Sequence, residues 1–353
     1  MDTILPPDAD ALRERGAALL RARQPREALA LFDRAVALGA DPLEVGGERW
    51  MAAMLLGDFP TAWEVSDLVL SRTAPDGFND PGKPHHQRAV WDGNPFDGRR
   101  VLVRCYSGLG DDIQFCRYLP LLARRASGLV VQAPESRHEL FAALPGVDAV
   151  FPLGDDVELP PFDVQAELME LAHAFRTSLE TIPADVPYIR PEPARIAVQA
   201  ARFERRERLA VGLAWAAGAW DGGHRTLPPE AVERLTEVPG IDWICLQRGP
   251  ALADAGRLPF RDRGERTESL FDTAAMIASL DLVISVDTSV AHLAGAMGAP
   301  VWTLLRCEAD WRWMVEREDS PWYPTMRLFR QPEEGAWVAV ADRVAETLAA
   351  FAR

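Results

Sequence analysis

The sequence has little cysteine, few basic residues for its size and no long apolar run, and each shortage excludes something. Cys105, Cys116, Cys245 and Cys307 are scattered, and no two stand close enough to form a metal knuckle. They read as reduced, mostly buried thiols of a cytosolic protein. Lysine and arginine total 38 against 53 aspartates and glutamates, a formal charge of −15 with a pI near 4.9. So acidic a chain lacks the basic face that nucleic acid requires, although one local cationic pocket for a nucleotide stays open. No apolar run reaches the roughly 18 residues that span a bilayer, and the opening MDTILPPDADALRER has no basic-then-apolar signal pattern. The expectation is a soluble, cytoplasmic protein without a transmembrane segment. His85 and His86 are adjacent, so their side chains diverge, and no further ligand stands nearby at suitable spacing. No metal is expected there.

What is present is an α/β rhythm. The 353 residues suffice for two or three domains with proper cores. The most informative stretch is DLVISVDTSVAHLAGAMGAPVWTLL, residues 281–305. DLVISV is short and β-branched, as in a strand buried on both faces. Asp287, Thr288 and Ser289 are all N-cap types at the point where a helix begins. Small and apolar residues follow to Met297, Gly298 suits the position after a helix, and VWTLL reads as the next buried strand. A strand–turn–helix–strand unit of this kind places its turn at the carboxyl end of a parallel sheet. Backbone N–H groups, hydroxyls and a positive helix end there suit a phosphate. His292 falls one turn into the helix, on the side of Thr288.

The same rhythm recurs earlier. RRVLVRCY reads as a strand, SGLGDD as a Gly-rich turn and IQFCRYLPLLARRA as an amphipathic helix, followed by LVVQAP, ESRHELFAALPG, AVFPL and FDVQAEL. The turn does not complete a Gly-x-Gly-x-x-Gly pattern, because Ile113 stands where the third glycine is required. Its carboxylates, Asp111 and Asp112, admit two readings. One is simple capping of the helix; the other is a base held as the anion beside a helix N-terminus. In LAVGLAWAAG, read as a strand, Gly212 and Ala214 are expected to allow close backbone approach. Arg225, in the Gly-rich loop after that strand, is either a surface cation or a bidentate phosphate partner, with His224 beside it. Gln247 and Arg248 close the strand IDWICLQRG at the same sheet end, and residues 250–267 read as irregular.

These motifs resemble glycosyltransferase family 9, whose bacterial members include lipopolysaccharide heptosyltransferases. DTSVAHLAGAMGAPVWTLL is the most specific part, and the likeness covers nearly the whole chain. It is nearest to a bacterial subgroup in which a tetratricopeptide (TPR) segment precedes the family domain. The resemblance implies a GT-B fold of two Rossmann-like doubly wound α/β domains, in which Asp111 serves as base and Arg225 holds donor phosphates. It further implies that Asp287, Thr288, Ser289 and His292 form the nucleotide-sugar site; by their placement His224 and Gln247 are expected to join it, with Gly110, Gln114 and Arg312 as candidate substrate contacts. No cofactor is implied beyond the nucleotide-diphosphate sugar itself, and the implied reaction is metal-independent and inverting. The partners would be that donor and a hydroxyl acceptor on a protein or glycan. The alternative is a non-catalytic scaffold or nucleotide sensor of the same fold.

The expected domains are a TPR-like helical segment over 1–76, a linker over 77–98, a first Rossmann-like acceptor domain over 99–190, a second donor domain over 191–335, and a C-terminal helix over 336–353 packing back on the first domain. The first segment is read from Ala28 and Ala62, 34 residues apart, each after a turn-like stretch. Two such units make a cap on the next domain or a groove for an acceptor. Trp311, Trp313, Trp322 and Tyr323 crowd the segment after VWTLL, where core packing and ligand stacking both fit.

Overall fold

Valine, isoleucine and leucine concentrate in short runs that build two parallel sheets. The computed structural model describes residues 8–203, 208–218, 222–262 and 269–352. The first sheet holds β1 (Arg100–Arg104), β2 (Gly128–Ala133), β3 (Ala149–Pro152) and β4 (Val164–Glu167), in the order β3-β2-β1-β4. The second holds β5 (Leu209–Ala214), β6 (Ile241–Cys245), β7 (Phe260–Asp262), β8 (Leu282–Val286), β9 (Val301–Leu305) and β10 (Met326–Arg330), in the order β10-β9-β8-β5-β6-β7. Every pairing between these strands is parallel. The fold is mixed α/β of the GT-B kind, with helices ahead of two parallel-sheet domains.

The central strands β8 and β9 bury all five of their residues, as covered parallel strands do. Sequence reading overlooked the two edges. β10 alternates arginine with apolar residues and exposes Arg327, and β7 is only three residues long inside the stretch read as irregular. A 3-10 turn, Pro250–Arg257, precedes β7; residues 263–268 of that stretch lie outside the described residues.

The N-terminal segment forms four helices: Ala9–Arg21, Pro25–Ala37, Gly46–Leu56 and Phe59–Arg72. Pro25 and Phe59 each open the second helix of a pair, and Ala28 and Ala62 are fully buried inside them. Asp8 and Asp58 cap their helices through Ala11 and Thr61 N–H. The following segment is no free linker. Val90, Trp91 and Phe96 are buried, Arg88 pairs with both oxygens of Asp155, and Glu170 accepts the Val90 and Trp91 N–H groups.

The C-terminal helix, Trp337–Phe351, corrects the expectation that it returns to the first domain. Trp337, Val340, Ala341, Val344 and Leu348 are buried in an apolar cluster with Val232, Leu235 and Phe329 of the second domain. Its long apolar stripe fits helix Pro229–Thr236, against which it lies. The return is made instead by the aromatic segment after β9. Trp311 meets Trp50, Phe59 and Phe115 at ring distances of 5.9, 6.4 and 6.3 Å, and Trp322 meets Phe59 and Phe115 at 6.0 and 5.7 Å. Val315 N–H donates to the Leu55 carbonyl at 3.2 Å. Fully buried Arg117 donates to the Trp322 carbonyl at 2.7 Å and lies over the rings of Tyr188 and Tyr323. These aromatics are therefore core, and they tie three parts of the chain into one body.

Candidate active site

Two strand-to-helix turns line one cleft of about 1460 Å3 between the sheets. On the first domain, β1 leads through Ser107-Gly108 into helix Leu109–Phe115. On the second, β8 leads through Asp287-Thr288 into helix Ser289–Ala296. The two helices lie side by side. A methyl group at Gly110 would fall 2.9 Å from His292 Cδ2, so only glycine lets the first turn come this close to the second.

Asp111 sits partly exposed at the first turn. Its Oδ2 accepts the Gly108 N–H at 2.9 Å, which caps its own helix. Its Oδ1 lies 2.7 Å from Nη2 of Arg312, which comes from the second domain. Arg312 is buried; its Nε also donates to Asp310 Oδ1 at 2.9 Å. Burial opposes its charge, but Asp310, Asp111 and Asp287 together hold its pKa above the ordinary arginine value.

On the second wall, Thr288 Oγ1 accepts the Val290 N–H at 3.2 Å and lies 3.2 Å from Ser285 Oγ. A neutral hydroxyl therefore caps this helix, and Ser289 lines the cleft beside it. Arg225 Nη1 donates to the Asp287 carbonyl at 3.0 Å, which sets a cation at the helix entrance. Burial raises the pKa of Asp287, against the pull of Arg312 and Arg225. His292 is buried and stacks on Trp313 at 5.2 Å. Burial, followed by the charges of Arg312, Arg117 and Arg225, drives its pKa well below the ordinary value, so it is neutral. Its Nδ1 shares a 2.8 Å hydrogen bond with Tyr323, and its Nε2 lies 3.8 Å from Asp287 Oδ1.

The cleft thus gathers Gly110, Asp111 and Arg312 with Arg225, Thr288, Ser289 and His292, and Asp287 and Gln247 also line it. Gln247 lines the cleft with its amide already engaged. Its Oε1 accepts the Trp215 and Ala216 N–H groups, and its Nε2 donates to the Ala216 and Arg248 carbonyls. It braces the loops on that side of the cleft. Two predicted residues are not brought into the cleft. Gly222 and Gly223 both take positive φ, and after this reversal Arg225 lines the cleft while His224 is exposed outside it. Gln114 lies a turn beyond Gly110 on the packed side of its helix. It is fully buried, and its amide has no hydrogen-bond partner among the described residues. Gly212 makes room for Leu246 and Leu280, 2.5 and 2.6 Å from where its methyl would be. Residues 219–221 of the Gly-rich loop lie outside the described residues.

Sequence reading also missed an acidic floor beneath the first turn. Asp112 is fully buried and pairs with Arg137, which also donates to the Ser107 carbonyl at 2.7 Å. Glu167 at the end of β4 accepts from Ser107 Oγ and from Met169 N–H. Burial lifts Asp112 to about 7 and, with Glu170 beside it, Glu167 to about 8. Glu167 ends β4 and Asp112 follows β1 at the sheet's carboxyl end, but burial is not a property of a short motif.

Residues 267–335, which contain the whole second turn, match the model of glycosyltransferase family 9 (heptosyltransferase). That stretch is similar to family 9 and is about a fifth of the chain. The chain is 27% identical over 381 residues to protein FlbA of Caulobacter vibrioides, an alignment that covers 99% of this chain and 63% of FlbA. It thus spans less than two thirds of that relative's length. Two solved structures share its fold. A family 9 glycosyl transferase from Veillonella parvula aligns with a TM-score of 0.53 at 14% identity, over 72% of this chain and 98% of that one. ADP-heptose lps heptosyltransferase II of E. coli aligns with a TM-score of 0.50 at 15% identity, over 71% and 98%. No helix among the described residues is long and apolar enough to cross a membrane.

Proposed function

We propose that this chain is a family 9 enzyme, an inverting, metal-independent glycosyltransferase that moves a sugar from a nucleotide-diphosphate sugar to a hydroxyl of a protein or glycan. The observation that carries this reading is the placement of Asp111 and the hydroxyl-capped helix Ser289–Ala296 on opposite walls of one cleft. The diphosphate would lie at the helix entrance. The helix N-terminus, Thr288, Ser289 and Arg225 would meet the charge that grows on the departing nucleoside diphosphate. Asp111 would accept the proton of the acceptor hydroxyl as its oxygen bonds to the anomeric carbon. The bond from that carbon to the phosphate oxygen breaks with its electron pair staying on the phosphate. Attack opposite to the leaving group inverts the anomeric centre. Charge stabilisation by arginine and helix dipole supplies what a divalent cation supplies elsewhere, hence the metal-independence.

The test starts with melting temperature against ADP, UDP, GDP and TDP. One of them should stabilise the protein, since a ligand at about 100 times its Kd adds about 2.7 kcal/mol. No response to any of them overturns the reading. Asp111→Ala should cut transfer by about 10²–10⁴-fold, the usual contribution of a general base, without weakening nucleotide binding. Arg225→Ala should weaken nucleoside-diphosphate binding by about tenfold or more, as removal of a charge-assisted hydrogen bond does. Full transfer in the first variant, or unchanged affinity in the second, removes that residue from its role.

A further inference from the structure

The base and the donor wall are joined by one guanidinium, and that contact has a consequence for catalysis. Arg312 belongs to the second domain, yet its Nη2 sits 2.7 Å from Oδ1 of Asp111 on the first. A carboxylate paired so closely with a guanidinium offers that oxygen to the arginine and not to an acceptor hydroxyl. The pair is built so that one partner can change. Arg312 is anchored at its other edge, where Nε and its backbone N–H both meet Asp310 Oδ1 at 2.9 and 3.1 Å. Asp111 has a separate anchor in the Gly108 N–H at 2.9 Å. Loss of the contact between them would leave both side chains in place. Arg312 also lines the same cleft as Thr288, Ser289 and Arg225.

We infer that Arg312 is a donor-operated latch on the base. Without donor it holds Asp111; an arriving diphosphate takes over its Nη edge and leaves the Asp111 carboxylate to accept a proton. The exchange is favourable in direction, because a diphosphate presents more charge and more oxygens to a planar guanidinium than one carboxylate does. It makes Arg312 a positioning residue that acts through Asp111, and it couples the acid–base wall to the occupancy of the phosphate wall. The base becomes effective only when there is a sugar to transfer. The inference rests on the transferase reading above.

The test is a double-mutant cycle on affinity for whichever of ADP, UDP, GDP and TDP binds the wild type best, measured by titration calorimetry on the full chain. Asp111→Asn removes the competitor for Arg312 and should tighten nucleotide binding by about fivefold or more. Arg312→Gln should weaken binding, and in that background Asp111→Asn should bring no gain. Far-ultraviolet circular dichroism checks the fold of each variant; if Arg312→Gln fails to fold, Arg312→Lys serves, since one ammonium cannot reproduce the fork and the gain should again shrink. Unchanged or weaker binding by Asp111→Asn, or a gain that persists without Arg312, overturns the latch while leaving the transferase reading intact. A wild type that binds none of the four nucleotides overturns both.

Discussion

At the end of β1 and at the end of β8 the chain makes the same move, from a parallel strand through a short turn into a helix that enters the cleft. The caps differ. At the first turn a carboxylate, Asp111, accepts a backbone N–H; at the second a hydroxyl, Thr288, does so. A carboxylate cap fills the positive end of its helix and turns anions away. A hydroxyl cap neutralises nothing and leaves that end available. The same backbone device therefore yields a proton acceptor on one wall and an anion cradle on the other, and the choice rests on one side chain at each.

The sharpest way to break this contrast is to give the second turn the first turn's chemistry. Thr288→Asp keeps a good N-cap residue, so the fold should hold or gain slightly. It sets a negative charge where the diphosphate would lie. Two like charges about 4 Å apart near a protein surface repel by about 4 kcal/mol at an effective dielectric of 20, and partial rearrangement leaves a loss of about 10²-fold in nucleotide affinity as the expected outcome. Titration calorimetry on the variant decides it; wild-type affinity would mean that phosphate does not bind at this helix.

A smaller effect tests how closely the two turns must approach. In Gly110→Ala the new methyl would meet His292 at 2.9 Å. His292 is held by Tyr323 and Trp313 and has little room to give. The helices must move apart, at a cost of about 1–3 kcal/mol in stability, as overpacking usually exacts. Transfer should fall more than nucleotide affinity does, because Asp111 moves with its turn while Thr288 stays. A melting temperature unchanged from wild type would show that the contact is slack.

Both turns were legible in sequence for the same reason: a β-branched run, then glycine or N-cap residues, then a helix pattern is local information. Thr288 and Ser289 could be picked out because a turn at the carboxyl end of a parallel strand lies at the cleft by topology, whereas Asp111 was set apart from Asp112 only by the family resemblance. What was not legible depended on distant packing. Gln114 and Gly110 share one short helix, yet Gly110 faces His292 in the cleft and Gln114 is sealed in the interior. His224 and Arg225 are neighbours, and two positive-φ glycines put one outside and the other in. Gln247 lines the cleft as its strand position predicts, but the four backbone groups from two loops that converge on its amide could not be read from the strand. The C-terminal helix has an apolar stripe that names no destination, and the aromatic segment after β9 made the crossing in its place.

The supports beneath the two turns should also titrate in opposite senses. On the second wall His292 has its pKa pushed well below 6.5 by burial and by Arg312. Below pH 6.5 the unfolded chain binds a proton that the native site refuses, so this group costs stability as pH falls. On the first wall Glu167 is raised from 4.5 to about 8 by burial and by Glu170. Between those values the native state keeps a proton that the unfolded chain has released, so the native state binds more protons and stability falls as pH rises. Glu167→Gln cannot titrate and keeps an oxygen to accept from Ser107 or Met169. Relative to wild type it should therefore gain stability from pH 5 to pH 8, by about 1 kcal/mol or more, roughly 2–4 °C in melting temperature. Asp112, raised to about 7, still titrates in the variant, so the slope should shrink without vanishing. If scanning calorimetry at pH 5, 6.5 and 8 gives a constant difference between variant and wild type, Glu167 is ionised throughout, and the floor of the first turn is charged instead of proton-sharing.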